Sequence, residues 1–148
     1  MSLESKIMQD LKEAMKSKDQ ASMRAIRAIK SAILLRKTDG SGKEIDHEDE
    51  IKLLQKLVKS RKESLEIYLK QKREDLAKVE EEEINVIERY LPVAMTEEEA
   101  EAMVSQIISE TGANSMKDMG SVMSAATSRA AGRVDGKLLA QLVRKKLS

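Results

Sequence analysis

The chain has 148 residues, 41% of them hydrophobic and 36% charged, with a formal net charge of +1. Cys, Phe and Trp are absent and two Tyr are the only aromatic residues, which excludes disulfide and thiol chemistry and leaves Leu, Ile, Val, Met and Ala to build the core. With charge so nearly balanced, an electrostatic partner has to be met by a local patch rather than by the whole molecule.

Leu3, Ile7, Leu11 and Met15 recur every four residues and predict one face of a first helix. Asp19 is placed to cap a second helix bearing Met23, Ile26, Ile29 and Ile33, which stops in "KTDGSGKEID", the clearest loop in the chain. Asp46, with Asp49 three residues on, opens a third. Its apolar positions are Ile51, Leu54, Val58, Leu65 and Tyr68, with Arg61 filling the missing step. At about 25 residues this helix spans about 37 Å. "KQKRED" interrupts the pattern before Leu76, Val79, Ile84, Ile87 and Leu91 resume it. Two long amphipathic helices across so short a break predict a helical hairpin.

Pro92 marks a boundary, giving an N-terminal helical domain over 1–92 and a C-terminal three-helix domain over 93–148. Thr96 and Glu99 form a capping box. Behind it Ala100, Met103, Val104, Ile107 and Ile108 make a buried stripe, and Gly112 stands where a left-handed cap belongs. Ser115 and Asp118 read as a second box, opening a helix with Met119, Val122, Met123 and Ala126 that stops near Gly132. Asp135 caps a last helix with Leu138, Leu139, Leu142, Val143 and Leu147 inside. No segment alternates long enough to propose a strand, so the fold class is all-α.

Location and chemistry follow by elimination. No apolar run approaches the roughly 18 residues of a membrane span. "MSLESKIMQDL" carries acids and no h-region follows it, so no signal peptide is expected, and with the absence of Cys, which suits a reducing compartment, a cytoplasmic location is. The segment Gly132-Arg133-Val134-Asp135-Gly136-Lys137 superficially resembles a phosphate-gripping loop. It has only three residues between its glycines, Leu138 in place of the Mg²⁺-binding hydroxyl, and no preceding strand. The plainer reading is a glycine C-cap, a turn and an aspartate N-cap. No G-x-S-x-G occurs and no Ser has a Lys three residues on. His47, the sole histidine, sits in "DHEDE" at an exposed helix start. Glu80 to Glu83 point about 100° apart and cannot converge, so they read as a solvated face. No catalytic residues, no metal site and no cofactor are expected.

Charge is more informative. From Val93 to Gly120 the acids Glu97, Glu98, Glu99, Glu101, Glu110 and Asp118 face a lone base, Lys117. From Ser121 to Ser148 the bases Arg129, Arg133, Lys137, Arg144, Lys145 and Lys146 face a lone acid, Asp135. Complementing helix dipoles accounts for part of this polarity. It does not require Arg129, Arg133 and Lys137 to crowd one turn as well, and a basic surface contacting phosphates is the reading that accounts for them. Lys52, Lys56, Lys59, Arg61 and Lys62 form a second basic run. The alternative is a protein-interaction module using the Met- and Ala-rich face that includes Met103, Met116, Met119, Met123 and "SAATSRAAG".

"ERYLPVAMTEEEAEAMV", "TGANSMKDMGSVMSA" and "GRVDGKLLAQLVRKKL" together resemble the GatB/YqeY family, and "AIRAIKSAI" with "LVKSRKES" through "REDLA" resembles its free-standing YqeY branch. The resemblance covers nearly the whole chain. It implies an all-helical protein whose C-terminal domain is similar to the tail of the B subunit of the glutamine-dependent aminoacyl-tRNA amidotransferase, a tail that helps hold tRNA. The family-level label of carbon–nitrogen ligase with glutamine as amide donor belongs to domains that have no counterpart here. The expected function is therefore a non-catalytic accessory protein that binds tRNA through Arg129, Arg133, Lys137, Arg144, Lys145 and Lys146, with Lys117 at the rim. A translation-related protein is a further expected partner, and a membrane is not. One departure is Lys72, where the family has Gly or Asn at the hairpin corner. A positive φ there costs about 1 kcal/mol or more.

Overall fold

A computed structural model describes residues 2–148. The elements in chain order are α1 (Leu3–Ser17), α2 (Gln20–Lys37), α3 (His47–Lys70), α4 (Glu74–Glu88), α5 (Glu97–Thr111), a 3-10 turn (Met116–Asp118), α6 (Met119–Ala130) and α7 (Gly136–Leu147). The described residues contain no strand, as the all-α reading anticipated. No helix among them is long and apolar enough to cross a membrane.

Local chemistry explains most of the helix ends. Asp19 accepts from the Ser22 N–H at 3.1 Å, starting α2. Asp46 and Asp49 make a reciprocal capping box at α3, and Thr96 and Glu99 another at α5. The Thr96 backbone N–H, first among the groups acting on it, holds the Glu99 carboxyl below its ordinary value. Gly112 closes α5 at φ 70°. Ser115 does not cap as expected. Its side chain makes no cap bond, and the Asp118 carboxylate instead accepts from the Asn114 N–H at 3.1 Å. The tighter 3-10 turn is the reason: the Asp118 N–H donates to the Ser115 carbonyl, so it is not available to the hydroxyl.

Two compact units result, Met1–Leu91 and Pro92–Ser148. In the first, Leu3, Ile7, Ile26, Ile29, Ile33, Leu54, Val58, Ile84 and Ile87 share one core, with α2 packed against α1 and α4 and α3 along α4. Two apolar expectations shift. Met15 is exposed and Ala14 is buried in its place. A step of four residues overshoots a full turn by about 40°, so the fourth member of a strict four-step series has left the face. Val79 is also exposed while Ala77 and Ile84, seven apart, are buried.

Glu80 to Glu83 diverge, but they are not simply solvated. Glu82 pairs with Arg24 of α2 at 2.9 Å, and Glu83 lies 4.0 Å from Arg61 of α3 with only 14% of its side chain exposed. Burial, with the Glu83 charge adding to it, pushes the Glu80 carboxyl above its ordinary value. Consecutive acids on α4 thus clamp two different neighbours, because 100° separates them.

Lys72 sits at φ 58°, and so does Lys18. At both places the chain reverses through the same pair of bonds. The Arg73 N–H donates to Tyr68 and the Lys72 N–H to Leu69, while the Asp19 N–H donates to Ala14 and the Lys18 N–H to Met15. This double bond pattern places its left-handed residue where glycine is favoured. Lys72→Gly is expected to stabilise the first unit by about 0.5–1 kcal/mol, seen as a higher urea midpoint at unchanged slope. A midpoint that stays put or falls removes strain at Lys72 from the account.

Candidate nucleic-acid interface

In the second unit Ala100, Val104, Ile107, Val122, Ala126, Leu139, Leu142 and Val143 form one core among α5, α6 and α7. Met103 is buried in it, and Met119 and Met123 pack against it. Of the methionines proposed as a groove only Met116 is exposed, at 44%. Met103, Met119 and Met123 are core filling.

The seven candidate cations do not share one fate. Arg129, at the end of α6, donates to Glu110 of α5 at 2.8 Å, and this bond is the main cause that lowers the Glu110 carboxyl. Lys146 lies 3.1 Å from Glu101, whose carboxyl it holds below the ordinary value by hydrogen bonding. Arg133 is half-buried and does a structural task. Its Nε donates to the Val93 carbonyl at 2.8 Å while its own carbonyl accepts from the Met95 N–H at 2.9 Å. It fastens the segment before α5 to the turn before α7.

Lys137, Arg144 and Lys145 remain. All are exposed on α7, opposite Leu139, Leu142 and Val143, and none forms an ion pair among the described residues. Residues seven apart differ by about 20° around a helix, so Lys137 and Arg144 lie on one line with Gln141 between them. Lys117 is exposed on the 3-10 turn, which packs against α7. The turn from Ala131 to Asp135 positions this stripe. Ala131 at φ 49° and Gly132 at φ 83° end α6 one residue earlier than anticipated, and the Asp135 carboxylate accepts from the Lys137 N–H to start α7. The segment between the glycines is thus two helix ends and a turn.

Sequence reasoning passed over Tyr90 except as a motif position. Its hydroxyl donates to the Asp10 carboxylate at 2.5 Å, and Lys6 Nζ stands 5.4 Å from the ring centroid. Burial pushes the phenol far above its ordinary pKa. A cleft of about 470 Å³ beside it is lined by Lys6, Asp10, Asp19, Ser22, Arg89 and others. The contacts tie α1 to the second residue past α4, a pairing eighty positions apart that no local pattern encodes.

Comparison with known proteins places this geometry. The profile of the Yqey-like protein family matches residues 4–147. The chain belongs to the Yqey-like family. Curated relatives of this Yqey-like chain include proteins named altered inheritance of mitochondria protein 41, mitochondrial. That of Lachancea thermotolerans is 40% identical over 70% of this chain, that of Kluyveromyces lactis 38% over 70%, and that of Eremothecium gossypii 36% over 72%. The chain spans 57% of the length of the first two and 62% of the third. Their names place these relatives in mitochondria, which overturns the expectation of a cytoplasmic Yqey-like chain. That expectation rested on missing cysteines and a missing h-region. A chain without thiols is indifferent to the redox poise of its compartment, and an h-region concerns secretion alone.

Proposed function

We propose that this chain is a non-catalytic helical accessory protein that binds tRNA through α7, its N-terminal unit being a helical region with a long hairpin and its C-terminal unit a three-helix domain related to the tail of the amidotransferase B subunit. The observation that carries the reading is the outward line of Lys137 and Arg144, with Lys145 exposed beside it, cations that form no ion pair among the described residues while Arg129 and Lys146 are paired with Glu110 and Glu101. Cations left unpaired on a rigid helix are free to exchange their counterions for phosphates, and that release drives association. Both tyrosines precede Pro92, so the second unit offers no ring for base stacking. Recognition then follows backbone charge and shape, as for double-helical RNA.

Anisotropy of labelled tRNA across a salt series tests this. Log affinity is expected to fall by about 0.7–0.9 for each log unit of salt per phosphate neutralised, giving a slope of about −3 if Lys137, Arg144, Lys145 and Lys117 all engage. A flat salt dependence, or no saturable binding at low salt, defeats the reading.

A further inference from the structure

The outer face of α2 carries charge and apolar surface that tRNA binding does not use. Between Gln20 and Lys37 there is no acid, and the bases are Arg24, Arg27, Lys30, Arg36 and Lys37. Arg24 pairs with Glu82, Arg36 with Asp39 and Asp49, and Lys37 with Glu4. Arg27 and Lys30 are exposed and form no ion pair among the described residues. Further along the same helix Leu34 is 62% exposed and Leu35 71%. Arg27, Ser31 and Leu34 follow an i, i+4, i+7 spacing opposite the buried Ala25, Ile29 and Ile33, with Lys30 and Leu35 on either side. Two free cations therefore stand about 10 Å along the axis from two bare leucines, with a small serine between them.

We propose that this face docks an amphipathic helix of another protein, one that presents acidic side chains to Arg27 and Lys30 and apolar side chains to Leu34 and Leu35. Charge complementarity selects the occupant. A second copy of α2 brings only more cations. A bilayer surface favours apolar residues along the length of a helix, whereas here they are confined to one end. Phosphates would satisfy Arg27 and Lys30 but would leave both leucines in water. A partner helix meets both demands at once, and Ser31 lets its backbone approach.

The probe is a fluorescein-labelled, lactam-stapled peptide with two glutamates on one turn and two leucines two turns away on the same face. A peptide of equal composition in scrambled order is the control. The full chain is expected to bind the first saturably and the second at least about tenfold more weakly. Arg27→Glu with Lys30→Glu, and separately Leu34→Ser with Leu35→Ser, are each expected to weaken binding at least about tenfold. These side chains are solvent-facing, and circular dichroism checks that the variants stay folded. Lys137→Glu with Arg144→Glu leaves peptide binding unchanged, so this surface and the tRNA reading stand or fall separately. Equal binding of the scrambled peptide overturns the proposal. So does indifference to the leucine pair, and so does sedimentation with phosphatidylcholine–phosphatidylglycerol vesicles in place of peptide binding.

Discussion

Reversing Lys137, Arg144 and Lys145 to glutamate is expected to weaken tRNA binding by roughly 100-fold at 0.1 M salt and to flatten the salt slope by about 2–3. The size follows from where these side chains stand. Each is exposed on α7 and forms no ion pair among the described residues, Lys145 only adding to the field that Lys146 sets on Glu101, so each reversal removes a counterion-releasing contact and adds repulsion to the same phosphate. Arg129→Ala and Lys146→Ala are the internal contrast. Arg129 would have to leave Glu110, at 2.8 Å, and Lys146 would have to leave Glu101, at 3.1 Å. Their removal is expected to change affinity less than about threefold, since a paired cation releases few counterions. Equal losses from paired and unpaired cations would mean that α7 is not the contact line, and an unaffected triple variant would end the tRNA reading. Arg133→Ala is a different experiment. It loosens the segment before α5 through the lost bond to Val93, so its effect is expected in stability before affinity.

Leu139→Ala is expected to cost about 2–5 kcal/mol and to unfold most of the second unit at 37 °C. Leu139 is 1% exposed and packs in the core shared by α5, α6 and α7. That core holds no aromatic ring and much of it is alanine and valine, so one leucine carries a large share of its apolar volume. A unit of about 60 residues has only about 3–9 kcal/mol to lose at ordinary stability per residue. Hydrogen exchange makes the measurement. Amides of α5, α6 and α7 are expected to lose protection while those of α1 to α4 keep theirs. Unchanged protection across α7 would place Leu139 outside the cooperative core.

How much of this could be read beforehand depended on the range of the physics involved. Helix starts at Asp19, Asp46, Thr96 and Asp135 were legible because a capping side chain bonds within three residues of itself. The inner faces of α5 and α7 were legible because periodicity is local. Charge pairing was not. Arg129 and Glu110 are 19 positions apart, and Arg24 and Glu82 are 58, so only the packing of whole helices decides whether they meet. The basic cluster looked uniform in sequence for that reason, and three of its members turned out to be engaged inside the unit. Ser115 misled because its motif permits either a capped α-turn or a 3-10 turn, and Asp118 settled the choice by reaching back to Asn114. Lys18 gave no sign of its left-handed backbone either, and Lys72 was marked only by the family resemblance, which puts Gly or Asn at that corner. A reversal between packed helices imposed that conformation on residues that do not favour it.

The distribution of phenol rings has a practical corollary. Tyr68 and Tyr90 both lie in Met1–Leu91, and Pro92–Ser148 has no intrinsic fluorophore. Tyrosine emission during a thermal ramp therefore follows only the first unit, whereas ellipticity at 222 nm, about the helical minimum, follows every helix in the molecule. Superimposable traces would mean that the halves melt in one cooperative event. Traces that part company would give each half its own midpoint, without any engineered label.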